Sequence, residues 1–97
     1  MRIVVVGDED TVNAFRLIGF EGIASDSRRL LDVVRGLIEA GDVAAVLVSS
    51  KVAEGAGDAF NELRIRTRRP LIMVIPSLGV AYRPVNYMAM LRAILGM

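Results

Sequence analysis

Cysteine, histidine and tryptophan are all missing from this 97-residue chain. Without cysteine there is no disulfide framework, no thiol nucleophile and no thiolate metal site. Without histidine the commonest general base near neutral pH, and the commonest neutral metal ligand, are gone. Aromatic residues make up 5%, too few to interleave with basic residues as a single-strand stacking platform would require. An excess of one charge is missing as well. Eleven Arg and one Lys stand against eleven acids, for a net charge of +1, whereas a nucleic-acid-binding domain is expected to be more basic.

Long hydrophobic runs are absent too. Val43 to Val48 and Leu71 to Ile75 are strand-length, far short of the ~20 residues of a membrane helix. The N-terminus passes from Arg2 straight into a strand and then Gly7-Asp8-Glu9-Asp10, with no signal-peptide core and no small-residue cleavage site. A cytoplasmic protein is expected. What the chain does have is apolar surface, with 54% hydrophobic residues. A domain of this size hides only about 60–65% of its unfolded surface, so some of that excess is expected to meet a partner.

The pattern along the chain alternates strands and helices. Arg2 to Val6 is a β-branched run, the mark of a strand buried on both faces. Asp8 or Asp10 caps a helix carrying Val12, Phe15 and Ile18, which Gly19 ends. Glu21 to Ala24 reads as a second strand, and Ser25-Asp26-Ser27 as the next cap. A helix over about Arg28 to Ala40 puts Leu30, Val33, Val34, Leu37 and Ile38 on one face. Gly41 stops it. Val43 to Val48 is the third strand. Ser49 or Ser50 caps a helix over about Lys51 to Thr67, with Val52, Ala56, Ala59, Phe60 and Leu63 toward the core. Gly55 and Gly57 weaken that helix by roughly 1 kcal/mol each. Leu71 to Ile75 is the fourth strand, ended by Pro76, and a last helix covers about Val85 to Leu95. The expected fold is α/β: a single four-stranded parallel sheet in the flavodoxin-like (receiver-like) order 2-1-3-4, with helices on both faces and a C-terminal interface helix. Residues 1–76 form the compact core, and 77–97 a loop and helix that serve as an interaction element.

Few residues invite chemistry. Asp8, Glu9 and Asp10 sit at the C-terminal end of the first strand, where open α/β sheets place ligands. Such carboxylates can hold Mg²⁺, but they also cap a helix and suit its N-terminal dipole, which is the expectation here. A phospho-receiver would carry an Asp after the third strand, where this chain has Ser49 and Ser50, and a Lys after a fifth strand. No glycine-rich phosphate loop follows a strand, and neither serine has a His or a convincing Lys partner to activate it. No catalytic residue, metal ligand or cofactor is expected. Arg64, Arg66, Arg68 and Arg69 fit cations offsetting a helix C-terminus better than a partner patch. The last helix differs. Tyr87, Met88, Met90, Leu91, Ile94 and Leu95 leave it apolar nearly all round, so it needs cover on more than one side.

Three stretches resemble the F subunit of the V-type and archaeal A-type rotary ATPases. They are Gly7-Asp8 to Thr11 with Phe15-Arg16-Leu17-Ile18-Gly19, then Asp42 to Glu54 with its Val52-Ala53-Glu54, and Pro70-Leu71-Ile72-Met73-Val74-Ile75-Pro76. The loop Ser77-Leu78-Gly79-Val80 departs from the acidic or lysine-containing loop common in that family. The resemblance implies a non-catalytic rotor component of the central stalk, cytoplasmic and peripheral to the membrane. It would be bound to the coiled-coil shaft, the D subunit, within the catalytic head subunits, coupling ATP turnover to proton or sodium transport. Candidate contact residues are Tyr87, Met88, Met90, Leu91, Ile94 and Leu95, with Arg16 from the Phe-Arg-Leu segment. Self-association of the isolated chain is an expectation of its apolar surplus. The alternatives are a degenerate receiver-like signalling module and a small-ligand or nucleotide-binding α/β domain.

Overall fold

β-Branched residues that suit a pleated surface begin the chain and form its central strand. In the computed structural model, which describes residues 1–78 with Ala89, Arg92, Ala93 and Gly96, β1 (Arg2–Gly7) is followed by α1 (Glu9–Leu17), β2 (Glu21–Ala24) and α2 (Leu30–Ala40). Then come β3 (Val43–Ser49), α3 (Ser50–Arg66) and β4 (Leu71–Ile75). All strand pairs are parallel and the sheet order is β2-β1-β3-β4, as expected from the sequence.

Alternation along β1 feeds two cores. Val4 and Val6 join Val46 and Val48 of β3, Leu30, Val34 and Leu37 of α2, and Val52 and Phe60 of α3. Val5 turns the other way and packs with Leu47, Ile75 and the α1 residues Val12 and Phe15. Helices therefore cover both faces, α2 and α3 on one and α1 on the other. Ile3 is the exception to the doubly buried strand. It lies at the open amino end of β1 and is 41% exposed.

The caps explain where α1 starts and stops. The Asp8 carboxylate accepts from the Thr11 amide at 3.2 Å. At the far end Gly19 (φ 96°) lets its amide reach the Arg16 carbonyl at 3.1 Å and the Phe20 amide reach Phe15 at 3.0 Å. That is a complete Schellman motif, and its hydrophobic contact is the edge-to-face pair Phe15–Phe20, centroids 5.4 Å apart. The helix ends at Leu17, so Ile18 is a cap residue and 43% exposed. It does not extend the Val12–Phe15 core face as its spacing predicts.

Two other local expectations shift. The second helix starts at Leu30, two residues later than expected, because Asp26 caps a preceding turn by accepting from the Arg29 amide at 2.9 Å. The third helix is interrupted. Gly57 has φ 67° and ψ −148° inside α3, a region open in practice only to glycine. The interruption rotates the second half, so Phe60 is buried while Ala59, predicted to face the core, is exposed. Arg64 and Arg66 occupy the last turn of α3, where their charge opposes the carbonyl-end dipole.

The amino edge of the sheet is clipped electrostatically. Arg2 donates to Glu21 at the start of β2 and to Asp42 just before β3, the latter at 3.0 Å. The predicted last helix, with Tyr87, Met88, Met90, Leu91, Ile94 and Leu95, lies outside the described residues.

Candidate interaction site at the carboxyl edge of the sheet

The carboxyl ends of β1, β3 and β4 converge on a set of short polar side chains. Gly7 ends β1 against Ser49 of β3. A Cβ at Gly7 would stand 2.0 Å from the Ser49 hydroxyl and 2.6 Å from its Cβ, so only glycine fits there. Ser49 occupies the N-cap position of α3 but makes no capping bond. Its buried hydroxyl instead accepts from the Asp8 amide at 3.2 Å. This corrects the expectation that either serine caps α3 with its own side chain.

Asp8 organises the β1–α1 turn. Its Oδ2 accepts both the amide and the hydroxyl of Thr11, the latter at 2.8 Å. Thr11 is fully buried and accepts in turn from the Leu78 amide at 2.9 Å. Ser77, also buried, makes a reciprocal pair with the start of α3. Its amide donates to the Ser50 hydroxyl at 3.1 Å, and its own hydroxyl accepts from the Lys51 amide at 2.9 Å. The stretch after β4 is thus bonded both to α1 and to α3.

The electrostatics of Asp8 follow from that setting. Partial burial pushes its carboxyl up. The dipoles of the Ser49 hydroxyl, the Thr11 hydroxyl and amide and the Ser77 hydroxyl outweigh that and hold it below its ordinary 3.8. Oδ1 itself is buried and has no hydrogen-bond partner among the described residues. The capping role expected of the acidic cluster therefore falls to Asp8. Glu9 and Asp10 lie exposed in the first turn of α1. Among the described residues no three acidic side chains converge as metal ligands would.

The hydroxyls of Thr11, Ser49, Ser50 and Ser77 all have partners within the chain, and the one bonded to a carboxylate, Thr11 against Asp8, is fully buried. The arrangement joins loops. Thr11 and Ser77 escaped sequence reasoning, although one signal was present. Each follows a strand end that the 2-1-3-4 order brings to the same edge as Ser49 and Ser50.

Of the predicted contact residues, Arg16 is the one described. It is exposed in the last turn of α1, where its guanidinium donates to the Gly22 carbonyl of β2 at 2.8 Å and, at a long 3.5 Å, to Asn13. The opposite edge carries uncovered apolar surface. Ile3, Ala45 and Leu71 share one register row, and Leu71 is 57% exposed. Leu17 is 88% exposed at the end of α1. No helix among the described residues is long and apolar enough to cross a membrane.

The sequence that builds this edge has relatives among known proteins. The profile of the ATP synthase (F/14-kDa) subunit matches residues 3–93. The chain belongs to this family. The F subunit of the A-type ATP synthase of Pyrococcus abyssi is 32% identical over 82 residues, which cover 78% of this chain and 75% of that protein. The Pyrococcus furiosus F subunit is 33% identical over the same length. The Thermococcus kodakarensis F subunit reaches 42% over 60 residues, 56% of this chain and 59% of its own length. These matches agree with the resemblance drawn from the Gly7–Gly19, Asp42–Glu54 and Pro70–Pro76 stretches.

Proposed function

We propose that this F subunit is a non-catalytic rotor component of the central stalk. It binds the coiled-coil shaft, the D subunit, inside the catalytic head and transmits torque or regulation between ATP turnover and ion transport. The observation that carries this reading is the family match over residues 3–93. Two features of the chain support it. The hydroxyls at the ligand-binding edge of the sheet are engaged within the chain, which leaves contact as the mode of action. Large apolar side chains at Ile3, Leu17, Ile18 and Leu71 stay exposed, as a surface awaiting a partner would.

Residues 1–76 act in this reading as the compact body and 77–97 as the interaction element. Tyr87, Met88, Met90, Leu91, Ile94 and Leu95 form the main contact, and Arg16 is a further contact residue. Each large apolar side chain buried by the partner contributes about 1.5–3 kcal/mol before the cost of association. The protein meets the membrane only through the complex.

The test is affinity purification of the tagged chain from its source membranes with mass spectrometry of what accompanies it. Recovery of the shaft and catalytic head subunits in fixed stoichiometry is expected. Recovery of the chain alone, or with a sensor protein, overturns the rotor reading and favours a receiver-like module.

A further inference from the structure

A groove of about 190 Å³ runs between α3 and the outer side of β4, lined by Ala53, Glu54, Gly57, Asp58, Asn61 and Val74. Its walls mix two chemistries. Ala53 and Val74 are apolar, and Val74, on the outermost strand among the described residues, is 37% exposed. Glu54 and Asp58 bring two carboxylates, neither with a hydrogen bond or ion pair among the described residues. The cations of α3 are Lys51, one turn before Glu54 and without an ion pair to it among the described residues, and Arg64 and Arg66 in the last turn, at least six residues beyond Asp58.

Gly57 stands between the two acids, with its glycine-only dihedrals of 67° and −148°. A Cβ there would meet nothing within 4 Å. Glycine is therefore required by the backbone path and not by crowding. That path divides α3, and the carbonyl end of its first half lies beside Glu54, adding partial negative charge. The groove is thus an apolar trough with two carboxylates on its rim, beside the outermost strand among the described residues.

We propose that this groove receives one basic side chain, arginine or lysine, presented by a neighbouring subunit of the complex. The inference rests on the assembly reading given above. The aliphatic stem of such a residue lies over Ala53 and Val74, and its charged head sits between Glu54 and Asp58. The side-chain carbonyl of Asn61 supplies a further acceptor. Such a contact fixes orientation and speeds encounter.

The test compares the wild-type chain, Glu54→Lys/Asp58→Lys and the milder Glu54→Gln/Asp58→Asn, binding to the remaining subunits of the complex. Denaturant unfolding of each isolated chain controls for folding. Charge reversal is expected to weaken assembly roughly tenfold or more at low salt, with a smaller loss for the neutral pair and a shrinking difference as salt rises. Normal assembly by both variants overturns the groove and leaves the rotor reading standing. A loss confined to the stability of the isolated chain, even in the neutral variant, overturns it too, because the carboxylates would then serve an internal contact. If the wild-type chain binds none of the subunits, both readings fall.

Discussion

The Leu78 amide donates to the Thr11 hydroxyl at 2.9 Å, joining positions 67 residues apart. The same hydroxyl donates to Asp8 Oδ2 at 2.8 Å. The residues leaving β4 are therefore tied to the N-cap of α1, in a buried place where a lost partner is not replaced by water. Thr11→Val keeps the shape and removes the relay. It should destabilise the domain by about 1–3 kcal/mol, the cost of a buried polar group left unpaired. Amide exchange at Leu78 should accelerate more than at Val5, deep in the sheet. Thr11→Ser should restore both. Unchanged exchange at Leu78 in Thr11→Val would show that the relay does not hold this joint.

Gly7 and Ser49 set a second requirement at that edge. Gly7→Ala drives a methyl to 2.6 Å from the Ser49 Cβ. Because this second atom is not the hydroxyl, Ser49→Ala cannot relieve the clash. The single substitution should cost about 1–3 kcal/mol by overpacking. The double variant should recover little of it in urea unfolding. Full recovery would place the strain on the hydroxyl alone.

The alternation of apolar strands with amphipathic helices made the sheet order readable in advance, because parallel strands need crossover helices and few orders remain. The first helix cap was readable only as Asp8 or Asp10, and the folded chain places it at Asp8. The interruption of α3 was not. Val52, Ala56, Ala59, Phe60 and Leu63 fit one continuous helical face on paper, and Gly57 could as well have been a weak helical residue. Only the folded backbone shows it outside the helical region. Ser49 was misread for a different cause. A serine before a helix signals a cap, and nothing local reveals that the Asp8 amide competes for its hydroxyl. The contact residues of the last helix were read from composition, and they lie outside the described residues.

The phase change at Gly57 makes a paired prediction. Phe60→Ala removes a fully buried ring and should cost about 3–5 kcal/mol, a large share of the stability of so small a domain. Ala59→Lys, one residue earlier and exposed, should stay within about 0.5 kcal/mol of wild type. An uninterrupted helix would place both side chains toward the core and make the lysine severe. Thermal melts of the two variants separate the cases.

Acid should destabilise the fold through two carboxyls. Glu21, hydrogen-bonded to Arg2, is held below its ordinary 4.5, and Asp8 below its ordinary 3.8. A group depressed in the folded state contributes stability that is complete above its ordinary value and is lost as pH falls through the folded one. The urea midpoint should therefore fall below about pH 4. Added salt should weaken the exposed Glu21 contribution more than that of the partly buried Asp8. Asp8→Asn should flatten the acid side of the profile, while Arg2 stays charged across this range. An unchanged slope in Asp8→Asn would mean that the cap is formed equally well by the neutral acid.

The assembly reading places the largest effect on the C-terminal residues. Met90 and Leu95 are apolar positions in a sequence where Arg92 is the one charge between Val85 and Met97. Buried by a partner, each contributes about 1.5–3 kcal/mol. A carboxylate in either place meets an unpaired desolvation cost instead. Met90→Asp/Leu95→Asp should therefore weaken binding to the shaft and head subunits by a factor of about 100 or more, from these same magnitudes. With residues 1–76 as the compact body in that reading, the urea midpoint of the isolated chain should hardly move. Weak assembly with an unmoved midpoint supports a contact helix. Normal assembly removes these residues from the interface, and a collapsed midpoint assigns them to the chain's own core.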